Sequence, residues 1–320
     1  MDCTNKLHIV YGDASIGVHG RVKEQDFDYI FSYARGGMES LSVNGKEWMY
    51  RCPRPAFWRA TTDNDRGNSF PIKSGMWLAA DQFIACVGGK VFVDNEEIPF
   101  PCAPINNQYQ GDETASEVQV VFIYETITVP KTRVEVSYRV DRDGNIEVGV
   151  YYHGKAGLPE LPVMGLRMIM PTCADRYVYE GLSGETYPDR KAGGAKGVYE
   201  ILGLPVTPYL VPQDCGMHMD TEWVEIYRSA ELDNSRKEPK ETALRFELNG
   251  HAFSCLPYTA SELENAGHME ELPAARRTVF CVYGAVRGVG GIDSWGSDVG
   301  ADCHVSGEED IRFSFRICVG

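Results

Sequence analysis

The sequence predicts an all-β, antiparallel protein, most simply two sheets packed face to face. Three observations carry this. Period-2 alternation of apolar and polar residues recurs along the whole 320-residue chain. The turn dipeptides Asn-Gly and Asp-Gly sit between such runs. Helix signals are few.

Taken in order, Phe27 to Tyr33 and Ser40 to Val43 are strands that lead into Asn44-Gly45. Met76 to Phe83 is a weak helix candidate. Arg133 to Val140 alternates cleanly, turns through Asp143-Gly144 and continues as Ile146 to Tyr152, an antiparallel hairpin. Leu244 to Leu248, Asn249-Gly250 and Ala252 to Ser254 repeat that hairpin pattern. Thr259-Ala260-Ser261-Glu262 is a capping box that starts a short helix through about Met269, stopped near Pro273. Asp310 to Cys318 is the last strand, with Ile311, Phe313, Phe315 and Ile317 on one face. Asp233 to Glu241 reads as an exposed loop. No composition break divides the chain, so residues 1–320 form one domain, with 1–26 an edge strand or an arm to a partner.

A formal net charge of -15 argues against nucleic acid or an anionic membrane as partner, since both would repel such a surface. No stretch approaches the ~18 apolar residues of a membrane helix. The N-terminal residues lack the pattern of a signal peptide. The ten cysteines are scattered without a C-x-x-C pair, which fits reduced thiols and a cytoplasmic location.

The specific catalytic motifs are absent: no G-x-S-x-G, no H-E-x-x-H, no phosphate loop. The seven histidines show no metal-ligand spacing. Cys303 and His304, read as strand neighbours, point to opposite faces.

Four segments stand out instead. In Gly288 to Gly296, Trp295 lies among glycines, Asp293 and Ser294, without apolar neighbours at strand spacing. It is either a stacking surface for a ligand or a plug over a sheet edge. Phe57 to Gly67 ends in Thr62-Asp63-Asn64-Asp65-Arg66-Gly67, where Asp63 and Asp65 suit a cation site or, more simply, a turn-capping network. In Glu185 to Arg190, Asp189 can pair with Arg190 or another arginine. Pro208 to Asp214 is a stiff segment that fits an edge or surface loop.

These four runs, in their order and spacing along the chain, resemble the C-terminal domain of the large β-galactosidases of glycoside hydrolase family two, from about Phe27 to Cys318. In particular the chain looks like the small chain of a β-galactosidase split into two polypeptides. The resemblance implies a β-supersandwich similar to galactose mutarotase. It implies that no catalytic residue lies here, and that the two catalytic glutamates belong to a (β/α)₈ barrel on a large partner chain. Mg²⁺ and Na⁺ or K⁺ would bind that partner, with no cofactor on this chain. Trp295 would stack on the sugar of a β-galactoside such as lactose, with Asp293 and Ser294 holding its loop. Gly67 would open a mobile loop, about Gly67 to Ile72, in which Ser69 matches a family serine while Phe70 and Pro71 replace more polar residues. Two other classes fit the same residues: a non-catalytic carbohydrate-binding module, and a free-standing aldose 1-epimerase using His218 or His153 with a nearby glutamate.

Overall fold

Three antiparallel sheets build the protein in a computed structural model that describes residues 6–100, 113–232 and 240–319. The expected all-β supersandwich is present, but with three sheets in place of two. The six-stranded sheet runs in the order Lys46–Glu47, Gly37–Val43, Gln25–Ser32, Ser15–Val22, Leu7–Tyr11, Thr114–Ala115. The ten-stranded sheet has the hairpins around Arg133–Asp141 and Ile146–Tyr152 beside the last strand, Ile311–Cys318. The five-stranded sheet is ordered Met217–His218, Ala252–Leu256, Thr278–Val286, Val163–Met170, Arg51–Ala56.

Alternation produces the large sheet directly. Val118, Val120, Phe122 and Tyr124 are buried along one strand, and Val134, Val136, Tyr138 and Val140 along its neighbour, with Phe122 opposite Val136. The residues between them are less buried and face out, so a one-residue slip would exchange the two faces. Strand Ala252–Leu256 is buried at all five positions, so its sheet is covered on both sides. One side packs on the large sheet through Phe246 and Phe280, with ring centres 4.5 Å apart. Truncating such a core ring costs roughly 3–5 kcal/mol. The other side meets Tyr187, Ala60, Cys215 and Leu263, which come from connecting segments and a short helix. Ala60 and Tyr187 belong to two of the four singled-out segments, which are therefore part of the cover of this sheet.

The Asn44-Gly45 turn is as expected, with both residues at positive φ. Asn249-Gly250 is not a hairpin. Strand Thr242–Glu247 pairs within the ten-stranded sheet, whereas Ala252–Leu256 pairs within the five-stranded one. Asn249 N and Gly250 N donate to the carbonyls of Glu222 and Thr221 at 3.1 and 2.8 Å, so the left-handed pair hands the chain from one sheet to the other.

The capping box at Thr259 forms, with Glu262 N donating to Thr259 Oγ1 at 3.2 Å and Thr259 N to Glu262 Oε2 at 2.7 Å. Its helix, Ala260–Asn265, is shorter than expected, because Gly267 N turns to Glu271 Oε2 at 2.8 Å and leaves the helical path. Met76 to Phe83 yields only a 3₁₀ turn, Gly75–Trp77. There the buried Trp77 stacks on Phe57 and donates Nε1–H to Pro159 O at 3.1 Å, and that contact outweighs local helix preference. Of the stretch 1–26, the described residues from 6 onward give two whole strands of the six-stranded sheet, Leu7–Tyr11 and Ser15–Val22, neither of them at its edge. Most of the loop Asp233 to Glu241 lies outside the described residues. Among the described residues, no helix is long and apolar enough to cross a membrane.

Candidate functional site

The first segment becomes a helix start. Thr62 caps the helix Asp63–Gly67, and Asp65 returns the bond, its Oδ2 accepting from Thr62 N at 2.9 Å. Glu264 of the short helix fixes the approach, accepting from Thr61 N at 2.6 Å and from Thr61 Oγ1 at 2.8 Å. Asp65 is 1% exposed, and Arg59 grips it with both guanidinium nitrogens at 2.6 and 3.2 Å. Arg287 Nη1 approaches it at 3.3 Å, and Arg287 also pairs with Glu160 at 2.7 Å and with Asp298. A carboxylate shared by two guanidiniums and a cap is already neutralised. For Asp65 the structure therefore gives a cap. Asp63 is exposed, pairs with Arg66 at 3.0 Å, and its N–H donates to Gln213 Oε1 at 2.8 Å.

That buried network reaches the glycine run. Arg59 Nη2 donates to Gly288 O at 3.0 Å, and Asn64 Nδ2 to Val289 O at 3.0 Å. Asp189 does not pair with an arginine as expected. Its two oxygens accept from Val289 N at 2.9 Å and Gly290 N at 2.7 Å, while Arg190 donates to Gly290 O. Two consecutive N–H groups aimed at one carboxylate outcompete a flexible guanidinium, because neither amide has another ladder to join. Glycine is required at two points. A Cβ on Gly291 would lie 2.8 Å from Asn64 Nδ2, and one on Gly296 would lie 2.7 Å from Gly67 O, both at positive φ.

Trp295 projects from this clamp at 89% exposure, so it plugs no sheet edge. Asp293 Oδ1 accepts from Trp295 N at 2.9 Å and Ser297 N at 3.2 Å, and Oδ2 accepts from Ser297 Oγ at 2.5 Å. The hydroxyl of Ser297, followed by those two amides, holds the Asp293 carboxyl below its usual range. Ser297, four residues after Asp293, thus joins Asp293 in holding the loop, the part expected of Ser294.

The stretch Gly67 to Ile72 is more regular than a loop. Gly67 ends the first helix and touches Gly296. Ser69 sits at left-handed φ 62°, and Phe70–Ser74 forms a second helical turn with Pro71 near its start. Phe70 is buried beneath the Arg287 guanidinium, 3.9 Å from its ring centre. The apolar replacements Phe70 and Pro71 therefore anchor this stretch to the same ion network.

A cleft of about 360 Å³ opens beside the clamp, lined by Asn64, Glu185, Arg190, Tyr209 and Gln213 among others. On its floor Asp214 is buried, accepts from Tyr187 OH at 2.9 Å, and is pushed by burial up to about 7. The segment Pro208 to Asp214 is thus a surface loop only in part, with Leu210 exposed and Asp214 interior. Sequence patterns missed Arg287, Asp298, Ser297 and the burial of Asp214. Among them only Ser297 carried a local signal, its spacing from Asp293.

The histidines separate. His218 is enclosed between Tyr177 OH at 3.1 Å and Gly184 O at 2.9 Å, with no glutamate in that pair, and burial lowers it to about 4. His153 does meet Glu135, at 2.9 Å, on the outer face of the large sheet. Cys303 closes a 3₁₀ turn, so it and His304 are not strand neighbours; Cys303 is buried, and His304 contacts Glu160 at 2.7 Å.

The four segments thus line one cleft, and a family model for the β-galactosidase small chain matches residues 23–317. The chain belongs to that family. This small chain is 62% identical over 317 residues to the β-galactosidase small subunit of Latilactobacillus sakei, covering 98% of each. It is 33% identical to a β-galactosidase of Halalkalibacterium halodurans and 30% identical to one of Streptococcus thermophilus. Those matches cover 97% of the small chain but only 28% and 27% of the two relatives, so it spans little more than a quarter of their length. Among solved structures, a putative aldose 1-epimerase of Escherichia coli aligns with 97% of each chain at 11% identity and a TM-score of 0.42. A galactose mutarotase-like protein of Lactobacillus casei aligns at 8% identity and a TM-score of 0.39, covering 97% of this chain and 99% of that one.

Proposed function

We propose that this small chain completes the sugar pocket of a two-chain β-galactosidase of the family-two type, with Trp295 as its contact to the substrate. The observation that carries the reading is the effort spent on one exposed side chain. Asp189, Arg190, Asn64 and Arg59 clamp the glycine run, and Asp293 shapes its tip. An exposed tryptophan held this way offers a broad apolar face to the C–H side of a sugar.

The reacting groups belong to the large chain in this reading. Retaining hydrolysis needs two carboxyl groups about 5–5.5 Å apart, one as nucleophile and one as acid and base. Both glutamates would come from the (β/α)₈ barrel of that partner, as would the ligands of Mg²⁺ and of Na⁺ or K⁺. This chain supplies binding and shape. The length relation supports the division, since the longer relatives carry about three quarters of their chain beyond the part matched here.

Covering roughly 50–80 Å² of sugar surface by one indole face is worth about 1–2 kcal/mol at ~25 cal/mol/Å². Trp295→Ala in the co-purified pair is therefore expected to raise KM for lactose about tenfold to thirtyfold, with a smaller change in kcat. The small chain alone is expected to hydrolyse no galactoside. A variant that assembles normally and keeps the parental KM would remove the stacking role, and activity of the isolated chain would remove the division of labour.

A further inference from the structure

A second pocket, of about 780 Å³, opens at the free edge of the five-stranded sheet. That volume is typical of small-molecule sites. The edge strand Arg51–Ala56 sets Arg54 directly opposite Arg167 of strand Val163–Met170. Like charges facing across a ladder repel, so the arrangement costs stability unless anions neutralise it. Arg167 has its anion: it pairs with Asp81, both groups largely buried. Arg54 does not. Its Nη2 donates to Arg35 O at 3.0 Å and its guanidinium lies 5.4 Å from the Tyr124 ring centre. Nη1 is enclosed by protein and has no hydrogen-bond partner among the described residues.

More unneutralised charge stands at the rim. Arg51 and Arg277 approach the ring of Tyr50, with guanidinium carbons 5.6 and 3.8 Å from its centre. An adjoining cavity of about 490 Å³ shares Arg51 and adds Arg276 and Arg277. Of the other acids lining the two cavities, Glu39 pairs with Arg35 at 3.7 Å and Glu262 caps its helix at Thr259. Such a concentration of arginine is notable in a chain with 31 basic against 46 acidic residues. Two or three guanidiniums without a carboxylate partner exceed the charge of a single carboxylate and match a phosphate monoester, which carries about -1.5 to -2 at neutral pH. Guanidinium forks also bind phosphate oxygens in pairs.

We propose that this pocket binds a phosphorylated small molecule, with the phosphate held between Arg54 and Arg51. Gln82 and Ser261, joined at 2.7 Å on the rim, face the space left for the organic part. The site is independent of the reading given to Trp295, and its test does not involve galactosidase activity.

Calorimetric titration of the full chain with inorganic phosphate and with glucose 6-phosphate, at ionic strength fixed with KCl, provides that test. Both ligands are expected to bind saturably at one site, glucose 6-phosphate at least as tightly as phosphate. Arg54→Gln is expected to weaken both at least tenfold. Arg51→Gln, at an exposed position, is expected to weaken both severalfold with an unchanged melting temperature, and carries the test if the first variant misfolds. No saturable binding to the parent chain would overturn the proposal. So would parental affinity in both variants, and binding of phosphate but not of glucose 6-phosphate would overturn the ligand class.

Discussion

Removing the Asp189 carboxylate tests whether Trp295 works because it is held. Asp189→Ala deletes two hydrogen bonds from backbone amides to a charged acceptor, at 2.9 and 2.7 Å. Such bonds contribute about 1.5–3 kcal/mol each, and the lower end applies because water reaches this half-buried position. The clamp then loses about 3 kcal/mol of local stability, while Arg190 and Asn64 still contact the run. Hydrogen exchange at the amides of Val289 and Gly290 should speed up by roughly a hundredfold, since each 1.4 kcal/mol is tenfold. In the assembled enzyme KM should rise towards the value of Trp295→Ala. The decisive measurement is the double variant. If Asp189 acts only by positioning the indole, adding its loss to Trp295→Ala changes KM by less than about twofold. Fully additive effects, or unchanged exchange at both amides, would refute the positioning argument.

Two further outcomes follow from the buried charges. Arg287→Ala leaves Asp65 with one guanidinium, takes the arginine from Glu160 and Asp298, and uncovers Phe70, so it should cost about 3–5 kcal/mol in urea unfolding; a loss below 1 kcal/mol would show that the network is not a stabilising unit. Asp214, raised by burial from 3.8 to about 7, keeps its proton in the folded chain but loses it in the unfolded chain between those pH values. Its contribution to stability is therefore present in acid and lost as pH rises to about 7, on the order of 4 kcal/mol in all. Asp214→Asn should gain on the parent steadily from pH 5 to pH 7 in paired unfolding curves, and a pH-independent difference would contradict the buried, protonated carboxyl.

Much of the local structure was legible from residue order. The strand faces at Arg133 to Val140 and Asp310 to Cys318, the left-handed Asn44-Gly45 turn and the capping box at Thr259 all appear as read. Each depends on contacts within a few residues, where side-chain period, glycine torsion freedom and cap chemistry act directly. The four segments were visible as unusual compositions, and Asp293 accepts from Trp295 N at the tip of its loop.

Partners distant along the chain were not legible in the same way. Nothing near Asn249-Gly250 distinguishes a hairpin from a passage between sheets, because that choice depends on whether Glu222 and Thr221 or a returning strand meets the turn. A charged residue likewise records no partner: Asp65 found Arg59 and Arg287, whereas Asp189 found two amides about a hundred residues away. Period and torsion are properties of a short stretch, so they survive being read alone. Burial and charge pairing belong to the assembled sheets, which bring Asn64, Asp189, Arg287 and Trp295 to one place and leave the indole facing outward.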